Sequence, residues 1–259
     1  MLLREDQRGW IAIGQPSHAW ISGQLARAWG NDRFGSVEPF PEVCLAAEQH
    51  DVGWGRLDLE PTLNPDTGLP RSFMEMPLDV HLELWTAGPR RLLSQSRYAA
   101  LLASLHGWRL YARRNLDEAS PSDADAIERF LAGERAFQEE LLGALRADGA
   151  TAPAARDELV ERNSLLLWTW DYLSLAVCLD WTPVKAKGCP SSSGPVDLEL
   201  ASGPRAGRTI LHPWPFTEPE VRVRCEGRRL TQRFGDEREM RAAFAAAPWE
   251  TLEFELAAA

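Results

Sequence analysis

A mainly α-helical bundle with a small C-terminal β-sheet appendage is the fold class that this sequence predicts. Three observations carry it. Apolar residues recur at helical spacing in segment after segment between Gln15 and Trp181. The run from Arg156 to Trp181 is apolar almost all round, as a central helix should be. Alternation of period two is concentrated beyond residue 190. The division that follows is a helical domain over 1–185 and a small mixed β/α appendage over 190–259.

The elements follow in order. Gly9–Gly14 is short, apolar and bounded by glycines, so it is extended or a lead-in. A helix opens at Gln15-Pro16-Ser17-His18, with proline in the first turn, continues through Ile21, Leu25 and Ala28, and stops at Gly30. A second runs from about Phe40 to His50. The Pro/Gly/Asp-rich stretch from Gly53 to Pro77 is a long loop, of the kind that forms a lid or pocket wall. Leu78–Gly88 is a third helix, with more helix after Pro89, and Arg97–Arg113 a fourth. Ser120 caps a charged amphipathic helix reaching about Ala147, whose acidic face over 123–140 is expected in solvent. Gly149–Ala155 links it to the central helix. Composition shifts between Lys185 and Pro195. Strands are then expected around Val196–Leu200, Val221–Cys225 and Leu252–Leu256, with Glu226-Gly227 as a hairpin turn and a helix over Asp236–Ala247.

Bulk properties exclude some function classes. A chain of 259 residues with 44% hydrophobic content and 11 tryptophans builds a sizeable core rather than a disordered ensemble. A formal charge of −10 argues against polymeric nucleic acid as a partner, which requires a basic footprint. It leaves room for a small phosphorylated substrate held by local arginines. No apolar stretch is long enough to span a bilayer, so no membrane partner is expected. The opening Met1–Asp6 carries acids where a signal peptide carries bases. Cys44, Cys178, Cys189 and Cys225 show no Cys-x-x-Cys pair, which suits reduced thiols of a cytoplasmic protein.

The chemistry-bearing pattern is a set of histidines and aspartates. Four of the five histidines, His18, His50, His81 and His106, fall on or at the end of four different predicted helices. Asp51 follows His50 directly, and Asp171 is the only acid in the apolar core of the central helix, where a lone carboxylate needs a partner. Helices of a bundle can aim such groups at one point, and imidazole with carboxylate suits a divalent ion. One or two ions are expected, among Mn, Fe, Ni, Zn and Mg. His212 lies in the β part and is read as structural.

The order His18, His50-Asp51, His81, His106, Asp171 resembles the H…HD…H…H…D pattern of HD-domain metal-dependent phosphohydrolases over roughly residues 15–180. His50-Asp51-Val52-Gly53-Trp54 and Ser104-Leu105-His106-Gly107 are also similar to the HDxGW and SLHG stretches of a bacterial domain-of-unknown-function family. The first resemblance implies an HD-domain-like bundle. In it His18, His50, Asp51 and Asp171 would hold one metal, and Asp51, the catalytic carboxylate, would bridge to a second held by His81 and His106. Such ions activate water and neutralise phosphoryl oxygens. Substrate phosphate would meet Arg56, Arg71 or Arg97, with Trp54 at the pocket. The expected function is hydrolysis of a small phosphomonoester or phosphodiester. The alternatives are a dinuclear iron oxygenase, which shares the ligand order, and a non-enzymatic metal-stabilised scaffold.

Overall fold

The short apolar run Gly9–Gly14, read above as extended or a lead-in, is extended, and with the residues before it builds one edge of a sheet. In the computed structural model, which describes residues 1–205 and 207–259, β1 (Leu2–Asp6) and β2 (Gly9–Ile13) form an antiparallel hairpin. The remaining strands of this sheet are β5 (Val184–Cys189), β6 (Val196–Ser202), β7 (Arg208–His212), β8 (Glu220–Leu230) and β9 (Trp249–Ala258). They assemble with the hairpin into one seven-stranded sheet in the order β1-β2-β8-β9-β7-β6-β5. Every pairing is antiparallel except β7 with β9. The expectation of a mainly α bundle with a small appendage is therefore corrected: a large mixed sheet draws strands from both ends of the chain.

The physical reason for the miss lies in β2. Ile11 and Ile13 face the main core, while Ala12 faces a second cluster with Met1, Leu230, Phe234, Met240 and Phe244. A strand buried on both faces reads as a continuous apolar run and gives no alternation. The Glu226-Gly227 turn is also corrected. Both residues lie inside β8, where Gly227 pairs with Ile13 on one side and Glu250 on the other. A Cβ there would meet the Ile11 side chain at 2.7 Å, so the glycine serves close strand packing.

The helices fall close to their expected places. They are α1 (Gln15–Ala28), α2 (Phe40–Gln49), α3 (Gly55–Leu59), α4 (Leu78–Arg91), α5 (Arg97–Ala112), α6 (Pro121–Ala147), α7 (Asp157–Leu179) and α8 (Glu237–Ala246). A two-stranded ribbon, β3 (Leu63–Asn64) with β4 (Leu69–Pro70), and the short α3 lie in the stretch read as loop. The apolar α7 is central. Leu166, Leu167, Trp170, Leu173 and Ala176 are fully buried, and the helix packs on α1, α2 and α5 as well as on β1 and β5. Because α1 also rests on β8, helices and sheet share one hydrophobic core.

α6 departs from expectation at one point. Glu134, on the face expected in solvent, is 1% exposed. Its Oε1 accepts from Arg90 at 2.6 Å and its Oε2 from Ser104 at 2.7 Å, while Gln138 donates to the same serine at 2.9 Å. This network ties α4, α5 and α6 together. No helix of the described residues is long and apolar enough to cross a membrane.

Candidate metal centre

Each candidate ligand is placed by a local feature of its helix. Gly14 leaves β2 in an extended conformation, Pro16 sits in the first turn of α1, and the Asp58 carboxylate accepts from Gln15 N at 2.5 Å. His18 is thereby fixed one turn into α1, 1% exposed. α2 ends at His50, Asp51 leaves helical geometry, and Val52–Trp54 forms a 3₁₀ turn. Gly53 is required there, because a Cβ would lie 2.6 Å from the Leu84 carbonyl oxygen of α4. Gly107 has a matching role on α5, where an added Cβ would meet the Trp85 ring at 2.8 Å. That close approach lets Trp85 pack 5.4 Å from the His106 ring, centroid to centroid.

Five of the six expected ligands converge. The ligand atoms of His18, His50 and Asp51 lie within 4.8 Å of one another, and so do those of His50, His106 and Asp171. His50 belongs to both groups. His18 Nε2 is 2.6 Å from Asp51 Oδ2, and His50 Nε2 is 3.6 Å from that oxygen and 3.3 Å from Asp171 Oδ1. His106 Nε2 is 3.5 Å from Asp171 Oδ2.

The surrounding hydrogen bonds decide which atoms are free to ligate. His50 Nδ1 donates to the Ala47 carbonyl at 2.9 Å, so the neutral ring carries its lone pair on Nε2. Ser174 Oγ donates to the Asp171 carbonyl at 2.8 Å and accepts from Ser22 at 3.0 Å. Its remaining lone pair accepts from His18 Nδ1 at 2.9 Å, which leaves His18 Nε2 also as an acceptor. An imidazole lone pair facing a carboxylate oxygen at 2.6 Å repels it unless a proton or a cation lies between them. The residues fit a divalent ion on a second ground. His50 Nε2, Asp51 Oδ1 and His106 Nδ1 are buried without any hydrogen-bond partner.

The charges respond strongly to this crowding. Burial would lower the His50 pKa, but Asp51 and Asp171 outweigh it and raise it to about 9. Burial pushes the Asp171 carboxyl up, yet His50, His106 and His18 hold it down at about 2. Burial dominates at His106, whose pKa falls to about 4 despite the attraction of Asp171.

His18, Asp51, His106 and Asp171 line a cavity of about 480 Å³, with His50 buried behind them. His81 lines it too, but its Nε2 is engaged by the Phe73 carbonyl at 2.6 Å, and its ring packs edge-on against Trp54 at 4.9 Å. Trp54 is buried in the cavity wall. The three arginines expected to reach substrate lie elsewhere. Arg56 is exposed on α3, Arg71 borders a separate small cleft beside Asp58, and Arg97 pairs with Asp148 at 3.3 Å. The one lysine or arginine lining the cavity among the described residues is Arg114, and its wall also holds Gln15 and Tyr111. Sequence reasoning passed over these, together with Ser174. Two of them carry a periodic signal: Ser174 stands three residues after Asp171, and Arg114 eight after His106.

No curated protein and no solved structure matches the chain. The model of the family described as "Protein of unknown function (DUF3891)" matches residues 1–232, a span that holds every helix carrying a candidate ligand and the strands from β1 to β8. The chain belongs to that family.

Proposed function

We propose that this protein is a divalent-metal-dependent hydrolase of a small phosphomonoester or phosphodiester, related to the HD-domain phosphohydrolases. The observation that supports it most is the convergence of His18, His50, Asp51, His106 and Asp171 beside a ligand-sized cavity that four of them line, with buried side-chain atoms left unpartnered. A bound divalent ion would supply an activated water and neutralise charge on a phosphoryl group. The chain's own residues do the rest. Ser174 and the Ala47 carbonyl fix the two imidazoles so that Nε2 points inward. Asp51 and Asp171 supply the anionic charge that makes the site select a cation. Trp54 and Trp85 form apolar wall that keeps bulk water from the reacting group.

The test begins with protein purified without a metal-affinity tag, its metals measured by mass spectrometry beside Asp51→Ala. One or two ions per chain in the parent, lost in the variant, together with phosphoester turnover that follows the metal, is the expected result. Protein that takes up neither manganese, iron nor zinc would overturn the reading. So would an iron-loaded protein that consumes oxygen and leaves phosphoesters intact.

A further inference from the structure

We infer that the cavity takes an elongated substrate with two polar ends: the reacting group at the His/Asp cluster, an apolar body, and a second anionic group held by Arg114. The identity of the reacting group rests on the hydrolase reading above; the anionic end does not.

The wall of the cavity is laid down by one face of α5. His106, Leu110 and Arg114 follow one another at intervals of four and all three line the cavity. The Arg114 N–H donates to the Tyr111 carbonyl at 3.1 Å, so the turn continues past the helix end. Eight residues of helical rise separate the Cα atoms of His106 and Arg114 by about 12 Å. The cavity is thus polarised along α5, with metal-type ligands at one end and a guanidinium toward the other. Apart from Gln15, His81 and Tyr111, the rest of the lining is apolar, with Trp54, Phe73, Met76, Trp85, Leu110 and Leu175 among it.

Arg114 is free for this task. It forms no ion pair with any carboxylate among the described residues, and its guanidinium carbon lies 4.7 Å from the Tyr111 ring centroid. The neighbouring Arg113 is instead committed to the face of Trp168, at 4.6 Å. Beneath Arg114, Tyr111 is 2% exposed and its hydroxyl has no hydrogen-bond partner. Burial raises that hydroxyl to about 12, so it stays a donor at neutral pH. A guanidinium stacked on a ring is held in orientation, which suits planar or tetrahedral oxyanions. The substrate class that fits is an aryl or similarly flat apolar phosphoester with a carboxylate or second phosphate at its far end.

Two non-hydrolysable probes test this by calorimetry on manganese-loaded protein: 4-(phosphonomethyl)benzoate, which has both anionic ends, and benzylphosphonate, which lacks the carboxylate. The expected result is about tenfold tighter binding of the first. Arg114→Gln should erase that preference while metal content and the affinity for benzylphosphonate stay as they were. Equal affinities in the parent protein, or a preference that survives Arg114→Gln, would overturn the inference. A third probe, 4-methylbenzoate, reports the anionic end alone and should lose affinity in Arg114→Gln even without metal. Failure of the hydrolase reading registers differently, as benzylphosphonate binding that is unchanged when the metal is removed.

Discussion

Two buried polar clusters of this protein share α5 and differ in one respect. Around Glu134, both carboxylate oxygens are taken up by Arg90 and Ser104, and Gln138 donates in turn to Ser104. Around His50, equally buried atoms on His50, Asp51 and His106 have no partner. A satisfied buried network specifies structure, whereas an orphaned one is a costly arrangement that persists where a ligand completes it. Ser104 and His106 are two residues apart, so they leave α5 in different directions, one toward α6 and one toward α7. The difference between a brace and a site is therefore made by what surrounds each group, since both are built from a carboxylate, its cationic neighbours and a serine.

The largest effect that would break this comparison is on stability. Glu134→Ala leaves Arg90 and Ser104 facing a gap, and a loss of about 2–4 kcal/mol is expected, discounted because Arg90 is partly in solvent. Chemical denaturation measures it, and metal content should not change. A variant that loses its metal as readily as its stability would show the two clusters to be one unit.

Ser174→Ala sharpens the comparison from the other side. It removes the acceptor that holds His18 Nδ1, so metal affinity should fall about 10–100-fold while the unfolding midpoint of metal-free protein moves little. Competition with a fluorescent chelator reads the first, and a thermal melt the second. The reverse pattern, intact affinity with a lower midpoint, would place Ser174 among the braces.

The smallest expected effect is in proton counts. In metal-free protein the His50 pKa is raised to about 9, above the value near 6.5 of the unfolded chain. Its stabilising contribution is therefore complete below about pH 6.5 and is lost as pH rises through about 9. A metal must displace that proton, so at pH 7.5 binding should release about one proton from His50 and should tighten as pH rises. Calorimetry in buffers of different ionisation enthalpy counts it. Binding without proton release would mean that His50 is not a ligand. The Glu134 network, already ion-paired, should show no such linkage to added metal.

Much of the candidate site was legible because its signals are local. A histidine one turn into a helix, a His-Asp doublet at a helix end and a lone acid in an apolar run are each visible from spacing within a dozen residues. Convergence of His18, His50, Asp51, His106 and Asp171 then follows from helices sharing a core. His81 shows where that logic stops: its helix is as expected, but the side chain meets the Phe73 carbonyl, a partner supplied by the long connection before α4. The arginines show it again, since exposure and pairing with Asp148 are not written in the neighbourhood of Arg97.

By itself, then, the sequence determined the helices and most of the converging His/Asp cluster, because helical periodicity and capping depend on residues close in the chain. Only the tertiary structure decided the sheet. β2 meets β8 more than two hundred residues away, and Ile11, Ala12 and Ile13 are apolar on both faces because a core covers each side. The same holds for Gly227, where strands pressed together outweigh a local turn preference, and for Glu134, which is acidic in sequence and buried in fact. Strand pairing, burial of a charge and the aim of a side chain are set by distant neighbours, and those become neighbours only when the chain folds.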